Sequence, residues 1–487
     1  MATRRWVVVG LACVLTATAC GARVDPLLEG AGQNVGPGAQ SPTGEETATT
    51  LGAEAAGGEA GPAVAGGGAK TATTIKAANT GGGAAGAAFN YSAAAEAAAC
   101  PGASGNTASD VGITPTEIRV GNVTGLSGVI TNSFNQAPEA VQALFDDVNA
   151  HGGICGRKLK LIVQDDGEDA ARNEADHKDL APKVFAFVGS TSNADSAGVR
   201  AMEEKKVPDI GFAINENRGQ STNFWSAAGS TLYKQNGKYM AYNTLENGLR
   251  DNNSFPKRIA ALAYSIPISS DAAKQFMYRF KQAGIEECFT DYSITPGANY
   301  SLDSQVLQMK KKNCDAVFTT MDLSGNDKLL QSERRQNFHP LSMVTFASYT
   351  PDQIAVSGAA AEGLQTTINW IPFSESHPVL QIYINQLKTY QPGKRPSSFG
   401  VLAWAGAQMF VQGLIKAGRN PTRASLVKFF ESLNDYDTGG MFTPVTPRTR
   451  RPVGPCIIQV EVKGGNFVRK WPASGFYCKA KLVPSEP

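Results

Sequence analysis

Val184-Phe185-Ala186-Phe187-Val188-Gly189-Ser190-Thr191-Ser192-Asn193 is the stretch that decides the fold. Its first half is a short apolar run rich in Val and Phe, the mark of a strand buried on both faces. Its second half changes at once to Gly and small hydroxyl or amide residues, and a helix is predicted to follow over Asp195–Lys205. The hydroxyls then stand between the C-terminal end of a strand and the N-terminal end of a helix. In open α/β sheets ligands bind along that edge. Unpaired N–H groups and the positive end of the helix dipole favour an anionic group there. Ser and Asn at such a place also serve as plain helix caps. The ligand reading gains from recurrence, because the same switch from apolar strand to small polar loop repeats along the chain.

Upstream, Ile118–Val123 reads as a strand followed by Thr124-Gly125-Leu126-Ser127-Gly128. A helix is predicted over Pro138–Ala150, with Val141, Leu144, Phe145 and Val148 on one face and Gly152-Gly153 ending it. Lys158–Gln164 is the next strand. Downstream, the short strand Asp209–Phe212 runs into Ala213-Ile214-Asn215-Glu216-Asn217. A second series then begins with a helix predicted over Leu232–Leu249, the strand Arg258–Ala263 and the loop Tyr264-Ser265-Ile266-Pro267. Helix Asp271–Ala283, a strand from Cys288 to Tyr292, helix Leu302–Lys312 and strand Asp315–Thr319 continue it, ending in a loop that carries Asp322. Strand Met343–Phe346 ends in Ala347-Ser348-Tyr349. Strands alternating with helices in this way make parallel sheets with right-handed crossovers, an α/β chain of two units of similar size. Past Gly363–Ile368 come helices at Pro378–Tyr390, Leu402–Ala417 and Leu426–Leu433, then a hairpin, Ile457–Val462 and Phe467–Trp471, around Gly464-Gly465. Late helices and a late hairpin differ in character, so the chain is expected to pass between the units more than once.

The amino terminus is of another kind. Arg4 and Arg5, the apolar run Val7–Leu15 and the small residues Thr18-Ala19 before Cys20 form an export signal, too short to span a bilayer comfortably. Small residues directly before a Cys resemble the lipobox of bacterial lipoproteins, which implies a lipid on Cys20; the alternative is an ordinary secretory signal cut elsewhere. Residues 21–107 are Ala, Gly, Thr and Pro with few large apolar side chains. Such a segment buries too little surface to offset its ordering entropy and is read as a disordered tether, with an end-to-end distance of about 50 Å.

With 45 basic against 43 acidic side chains, the charge balance offers no nucleic-acid footprint. Cys13 leaves with the signal and Cys20 is the anchor, so six cysteines remain in an exported chain and point to disulfides. Cys288 and Cys314 lie beside strands flanking one helix, Cys456 and Cys478 bracket the hairpin, and Cys100 is left for Cys155. No pair has zinc-ligand spacing and the histidines are scattered, so neither a metal nor another cofactor is expected. Gly125-Leu126-Ser127-Gly128 does not make a nucleophile elbow, and the dinucleotide, zincin and P-loop motifs are absent. A binding protein is therefore expected rather than an enzyme.

Four segments in order carry a family likeness: Ile118–Asn149, Ile154-Cys155-Gly156-Arg157-Lys158, Thr295-Pro296-Gly297-Ala298-Asn299-Tyr300 and Ala360-Ala361-Glu362-Gly363. From about Val111 to the end the chain resembles the type I periplasmic binding proteins, and within them the leucine/isoleucine/valine-binding receptors of ABC transporters. The resemblance implies two Rossmann-like lobes joined by three crossovers, near Ala227, Thr366 and Thr438. Lobe I would comprise 108–228 with 367–437, and lobe II 229–366 with 438–487. It implies an exported monomer, held at the membrane by Cys20, that closes on a small polar solute (an amino acid, an amide or a related carboxylate) and delivers it to a permease. The same fold also serves as a ligand-sensing receptor not coupled to transport. The loops at Ser127, Ser190-Thr191-Ser192 and Ala213 to Asn215 would face the solute from lobe I and hold its carboxylate. Tyr264, Asp322, Ser348 and Tyr349 would face it from lobe II. Relatives that bind amino acids place an acid in the loop that here reads Phe346-Ala347-Ser348-Tyr349-Thr350, so an ammonium would depend on Asp322.

Overall fold

The computed structural model describes residues 100, 105–128, 130, 133–229, 233–297, 299–448 and 453–486. The export signal, Cys20 and nearly all of the 21–107 tether lie outside the described residues.

In chain order the first unit is built from β1 (Glu117–Thr124), α1 (Gln136–Ala150), β2 (Lys158–Asp165), α2 (Ala170–Leu180), β3 (Ala186–Val188), α3 (Val199–Glu204), β4 (Asp209–Ile210), α4 (Glu216–Gln220) and β5 (Phe224–Trp225). These strands form one parallel sheet in the order β2-β1-β3-β4-β5. After a short hairpin, β6 (Lys234–Gln235) and β7 (Lys238–Tyr242), and α5 (Thr244–Asp251), the second unit follows with β8 (Arg258–Tyr264), α6 (Pro267–Gln282), β9 (Glu286–Ile294), α7 (Asp303–Lys311), β10 (Ala316–Thr319), α8 (Leu323–Arg335), β11 (Leu341–Val344), α9 (Pro351–Ser357) and β12 (Gln365–Ile368). Helices α10 (Pro378–Tyr390), α11 (Ser398–Ala417) and α12 (Arg423–Ser432) come next, then β13 (Ile458–Lys463), β14 (Asn466–Trp471) and β15 (Leu482–Pro484).

The second sheet has the order β14-β13-β12-β11-β10-β8-β9, parallel except where the late hairpin β13–β14 pairs antiparallel to β12. Helices α10 and α11 pack on α1, back in the first unit. The chain therefore passes between the units three times, after β5, after β12 and after α12. Each sheet with its helices is a lobe. Along β8, side chains alternate between the two sheet faces. Ala260, Leu262 and Tyr264 join the cluster with Leu302, Val306 and Leu329 of the α7–α8 side; Ile259 and Ala261 join Leu249, Met277 and Phe280 of the α5–α6 side. Helix α11 is long and apolar enough to cross a membrane, but it is buried through most of its length inside lobe I.

The three expected disulfides, Cys100–Cys155, Cys288–Cys314 and Cys456–Cys478, are present. Two expectations for local structure fail. The helix expected over Leu232–Leu249 is instead a hairpin followed by a helix starting at Thr244, because Asn236-Gly237 adopts positive φ at both residues (53° and 79°) and forms the tight turn that this dipeptide favours. Its strand β7 pairs with β15 to make a third, antiparallel sheet, β15-β7-β6. The helix expected from Asp195 starts only at Val199, since the carboxylate of Asp195 is committed to the neighbouring loop described below.

Candidate functional site

Gly189 ends β3 in the left-handed region (φ 70°), where a Cβ would stand 2.6 Å from Val141 and 3.1 Å from Ala403. The chain that follows turns tightly against its own sheet. Ser190 Oγ accepts from Val123 N (3.1 Å), Thr191 N donates to Thr124 Oγ1 (3.3 Å), and Ser192 Oγ accepts from Ala194 N (3.0 Å). All three residues are buried. Ser190 and Thr191 thus stitch this loop to β1 and Ser192 closes its own turn, instead of lining the cleft, and Asn193 is the residue of this stretch that reaches its wall. Ser127 is exposed, its hydroxyl donating to Asp165 Oδ2 at 2.6 Å, and it too lies off the cleft wall.

The edge N–H groups expected to await an anion are largely taken by the protein's own carboxylates. Asp195 accepts from the N–H groups of Ile214 (2.8 Å) and Asn215 (3.0 Å), and Asp165 from those of Leu126, Ser127 and Gly167. Arg218 holds this loop system from beneath: it pairs bidentately with Asp209 (2.8 Å to each oxygen) and reaches Asp195 at 3.3 Å and Ser190 O at 2.8 Å. No spacing in the sequence joins Asp195, Asp209 and Arg218, and the pattern reading missed them. Ala213 and Asn215 do line the cleft.

On lobe II, Asp322 lines the cleft and caps α8 as well. Its Oδ1 accepts from Gly325 N (2.8 Å) and from the Tyr264 hydroxyl (2.5 Å). Burial and the Asp322 carboxylate both push the Tyr264 phenol well above its ordinary range. Gly325 is required here, because a Cβ would collide with the Tyr264 hydroxyl. Ser348 is buried, accepting from Asn326 Nδ2 at 2.7 Å, and faces only a small side pocket. Tyr349 is a core residue. Its hydroxyl accepts from Phe373 N (2.7 Å), its ring packs on Phe373 and Phe467, and Phe346 and Ala347 take the cleft wall in its place. Because Asp322 has two jobs, Asp322→Ala is expected to lower stability by about 2 kcal/mol through the lost cap and the orphaned phenol. Asp322→Asn keeps the cap and should cost less than half of that in urea unfolding, so it is the variant in which ligand affinity can be read cleanly.

Between the lobes lies a cleft of about 560 Å³, within the usual range for small-molecule sites. Lobe I contributes Phe134, Asn193 and Phe212 to Glu216; lobe II contributes Tyr264, Thr320 to Asp322 and Thr345 to Ala347. Phe212 and Phe346 meet edge to face across it, with ring centroids 5.4 Å apart. Two walls had no counterpart in the sequence reading: Tyr239 to Tyr242 on the third sheet, and one stripe of α6. The lining is dominated by aromatic and aliphatic side chains. Among the described residues three carboxylates, Glu216, Asp271 and Asp322, line the cleft; behind Asn193, Glu168 accepts from Asn193 Nδ2 (3.2 Å), and its carboxyl is pushed up to about 7 by burial, with the charges of Asp166 and Asp322 adding.

The sequence profile of the periplasmic binding protein family matches residues 117–466. No curated protein sequence matches the chain. Among solved structures, the fold is similar to a fatty acid ABC transporter substrate-binding protein from Thermomonospora curvata, with 21% identity over 78% of this chain and 94% of that one and a TM-score of 0.62. It is also similar to a branched-chain amino acid transporter substrate-binding protein of Streptococcus pneumoniae in complex with isoleucine (16% identity, 76% and 100% of the two chains, TM-score 0.60). A third is a branched-chain amino acid ABC transporter protein of Thermus thermophilus with bound valine (13%, 75% and 97%, TM-score 0.62).

Proposed function

The chain belongs to the periplasmic binding protein family, and we propose that it is the exported, lipid-anchored solute receptor of an ABC importer. The observation that carries this reading is the cleft of about 560 Å³ whose walls come from both lobes. A solute that touches both walls is bound more tightly by the closed than by the open protein, and so drives closure. Closure would bring 108–228 with 367–437 towards 229–366 with 438–487 and present a new surface to a permease. The apolar lining and the absence of an acid from Phe346 to Thr350 favour a carboxylate with an apolar body over an α-amino acid. The solved structures named above, a fatty acid ABC transporter substrate-binding protein and two branched-chain amino acid transporter proteins holding isoleucine or valine, share the fold and bracket that choice.

A thermal-shift panel of amino acids, amides, short carboxylates and longer fatty acids tests the receptor reading. A ligand at 100 times its Kd is expected to add about 2.7 kcal/mol of stability. Small-angle scattering should show the radius of gyration falling on binding. A panel in which nothing raises the melting temperature would overturn the proposal. For the anchor, Cys20→Ala is expected to move the protein from the membrane fraction to the soluble fraction or to leave the precursor uncut; a variant that stays processed and membrane-bound would refute it.

A further inference from the structure

The cleft does not stop at the lobe edge. Ile268, Ala272, Gln275, Phe276 and Arg279 of α6 all line it, a stripe at the spacing of one helix face. From Ile268 to Arg279 this stripe runs about 16 Å at about 1.5 Å per residue. Met277 and Phe280 of α6 pack on the sheet, and Phe276 bridges that core and the cleft-lining stripe. Phe276 of this stripe packs on Phe318 of β10, with ring centroids 4.3 Å apart, so the two rings form one wall, and Leu245 of α5 and Met343 of β11 line the cleft beside them. The cleft thus continues as a slot inside lobe II, between α5, α6 and the sheet.

At the inner end of the slot is the one cationic side chain among the described lining residues, Arg279. It is 8% exposed. Its Nε donates to Glu246 Oε1 at 2.9 Å, and its guanidinium lies over the Phe276 ring at 4.4 Å, which fixes its plane. Its two terminal nitrogens have no protein partner among the described residues. The molecule already contains the completed form of this arrangement: Arg218 gives Nε and one amino group to Asp209 and its other amino group to a second carboxylate, Asp195. Glu246 stands where Asp209 does but accepts from Nε alone, and the place of the second carboxylate is open to the slot.

We propose that Arg279 is the anion-binding group of this receptor, and that the ligand is an elongated monocarboxylate bound with its acid end innermost. Its chain fills the slot past Phe276, Phe318 and Leu245 towards the interlobe mouth. The assignment rests on the receptor reading and reverses the placement expected from sequence, in which lobe I loops held the acid. In those loops the N–H groups of Leu126, Ser127, Ile214 and Asn215 already serve Asp165 and Asp195, and Glu216, Asp271 and Asp322 line the cleft, which disfavours an anion there. A C–C bond of about 1.5 Å at a tetrahedral angle advances a chain by about 1.25 Å, so the slot suits roughly twelve to fourteen carbons.

The test is calorimetry on the purified full chain with octanoate, decanoate, dodecanoate and tetradecanoate, and with tetradecan-1-ol as the uncharged match. Affinity is expected to rise about three- to fourfold per methylene. Tetradecanoate should bind roughly ten- to a hundredfold tighter than the alcohol, the effect of a charge-assisted hydrogen-bond pair. In Arg279→Gln/Glu246→Gln, which removes both charges together, acid and alcohol should bind alike while the chain-length gradient remains. Should that variant not fold, Arg279→Lys keeps the charge without the fork and is expected to shrink the preference below tenfold. Equal affinity of the parent for acid and alcohol, or a preference that survives the double variant, overturns the assignment. If amino acids or short amides bind but the acid series does not, the slot assignment falls and the receptor reading stands. If nothing in either panel binds, both fall.

Discussion

Arg218→Met is expected to remove about 3–5 kcal/mol of stability, the cost of leaving buried carboxylates without their cation. Asp195 and Asp209 are both about as buried as Arg218 itself, so neither gains water in compensation. The damage should also be local to the cleft. Arg218 holds Ser190 O and the Asp195 carboxylate, and Asp195 holds the N–H groups of Ile214 and Asn215. Urea unfolding measures the first effect, and loss of ligand-induced stabilisation in whatever remains folded measures the second. Adding Asp195→Asn and Asp209→Asn to Arg218→Met should recover most of the stability, because no uncompensated charge is then buried. Recovery of stability without recovery of binding is the expected pattern. Full binding in the single variant would mean that the cleft does not depend on this loop system.

The second large effect is a dependence on pH. Glu333 of α8 is 6% exposed; its Oε2 accepts from Ser342 Oγ (2.8 Å) and its Oε1 has no partner among the described residues. Burial pushes its carboxyl up to about 8 from the ordinary 4.5, against a smaller opposing pull from Ser342. Between those two values the folded chain holds a proton that the unfolded chain releases, so stability falls as pH rises through this window. Below pH 4.5 both states are protonated and this group contributes no further change. The total loss by pH 8 and above is on the order of 4 kcal/mol. Glu333→Gln, which cannot ionise, is expected to flatten the decline and to be the more stable protein at pH 8, with little difference at pH 4.5. Parallel stability curves for parent and variant across this window would refute the assignment.

Much of the architecture was legible in the sequence because its signals are local. The strand ending at Val188, the amphipathic helix around Val141 and Leu144, and the hairpin at Gly464-Gly465 each declare themselves within a dozen residues through apolar periodicity or turn chemistry. Cys288–Cys314 and Cys456–Cys478 followed from which elements such signals place side by side, and Cys100–Cys155 was what remained. The error at Asn236-Gly237 was also local: a two-residue turn interrupts what otherwise reads as one helix. The interior of the site is another matter. Whether Ser190, Thr191 and Ser192 face solvent or their own sheet depends on Val123, Thr124 and Asp195. Whether an N–H at Ile214 is free depends on a carboxylate nineteen positions earlier in the chain. That Leu245 of α5, Phe276 of α6 and Met343 of β11 line one cleft is a juxtaposition no periodicity encodes. Sequence alone determined which segments become strands and helices and that two sheet edges carry small polar loops. The tertiary structure decided which of those groups were already satisfied by one another, because a buried donor or acceptor takes the nearest partner in space, wherever it lies in the chain.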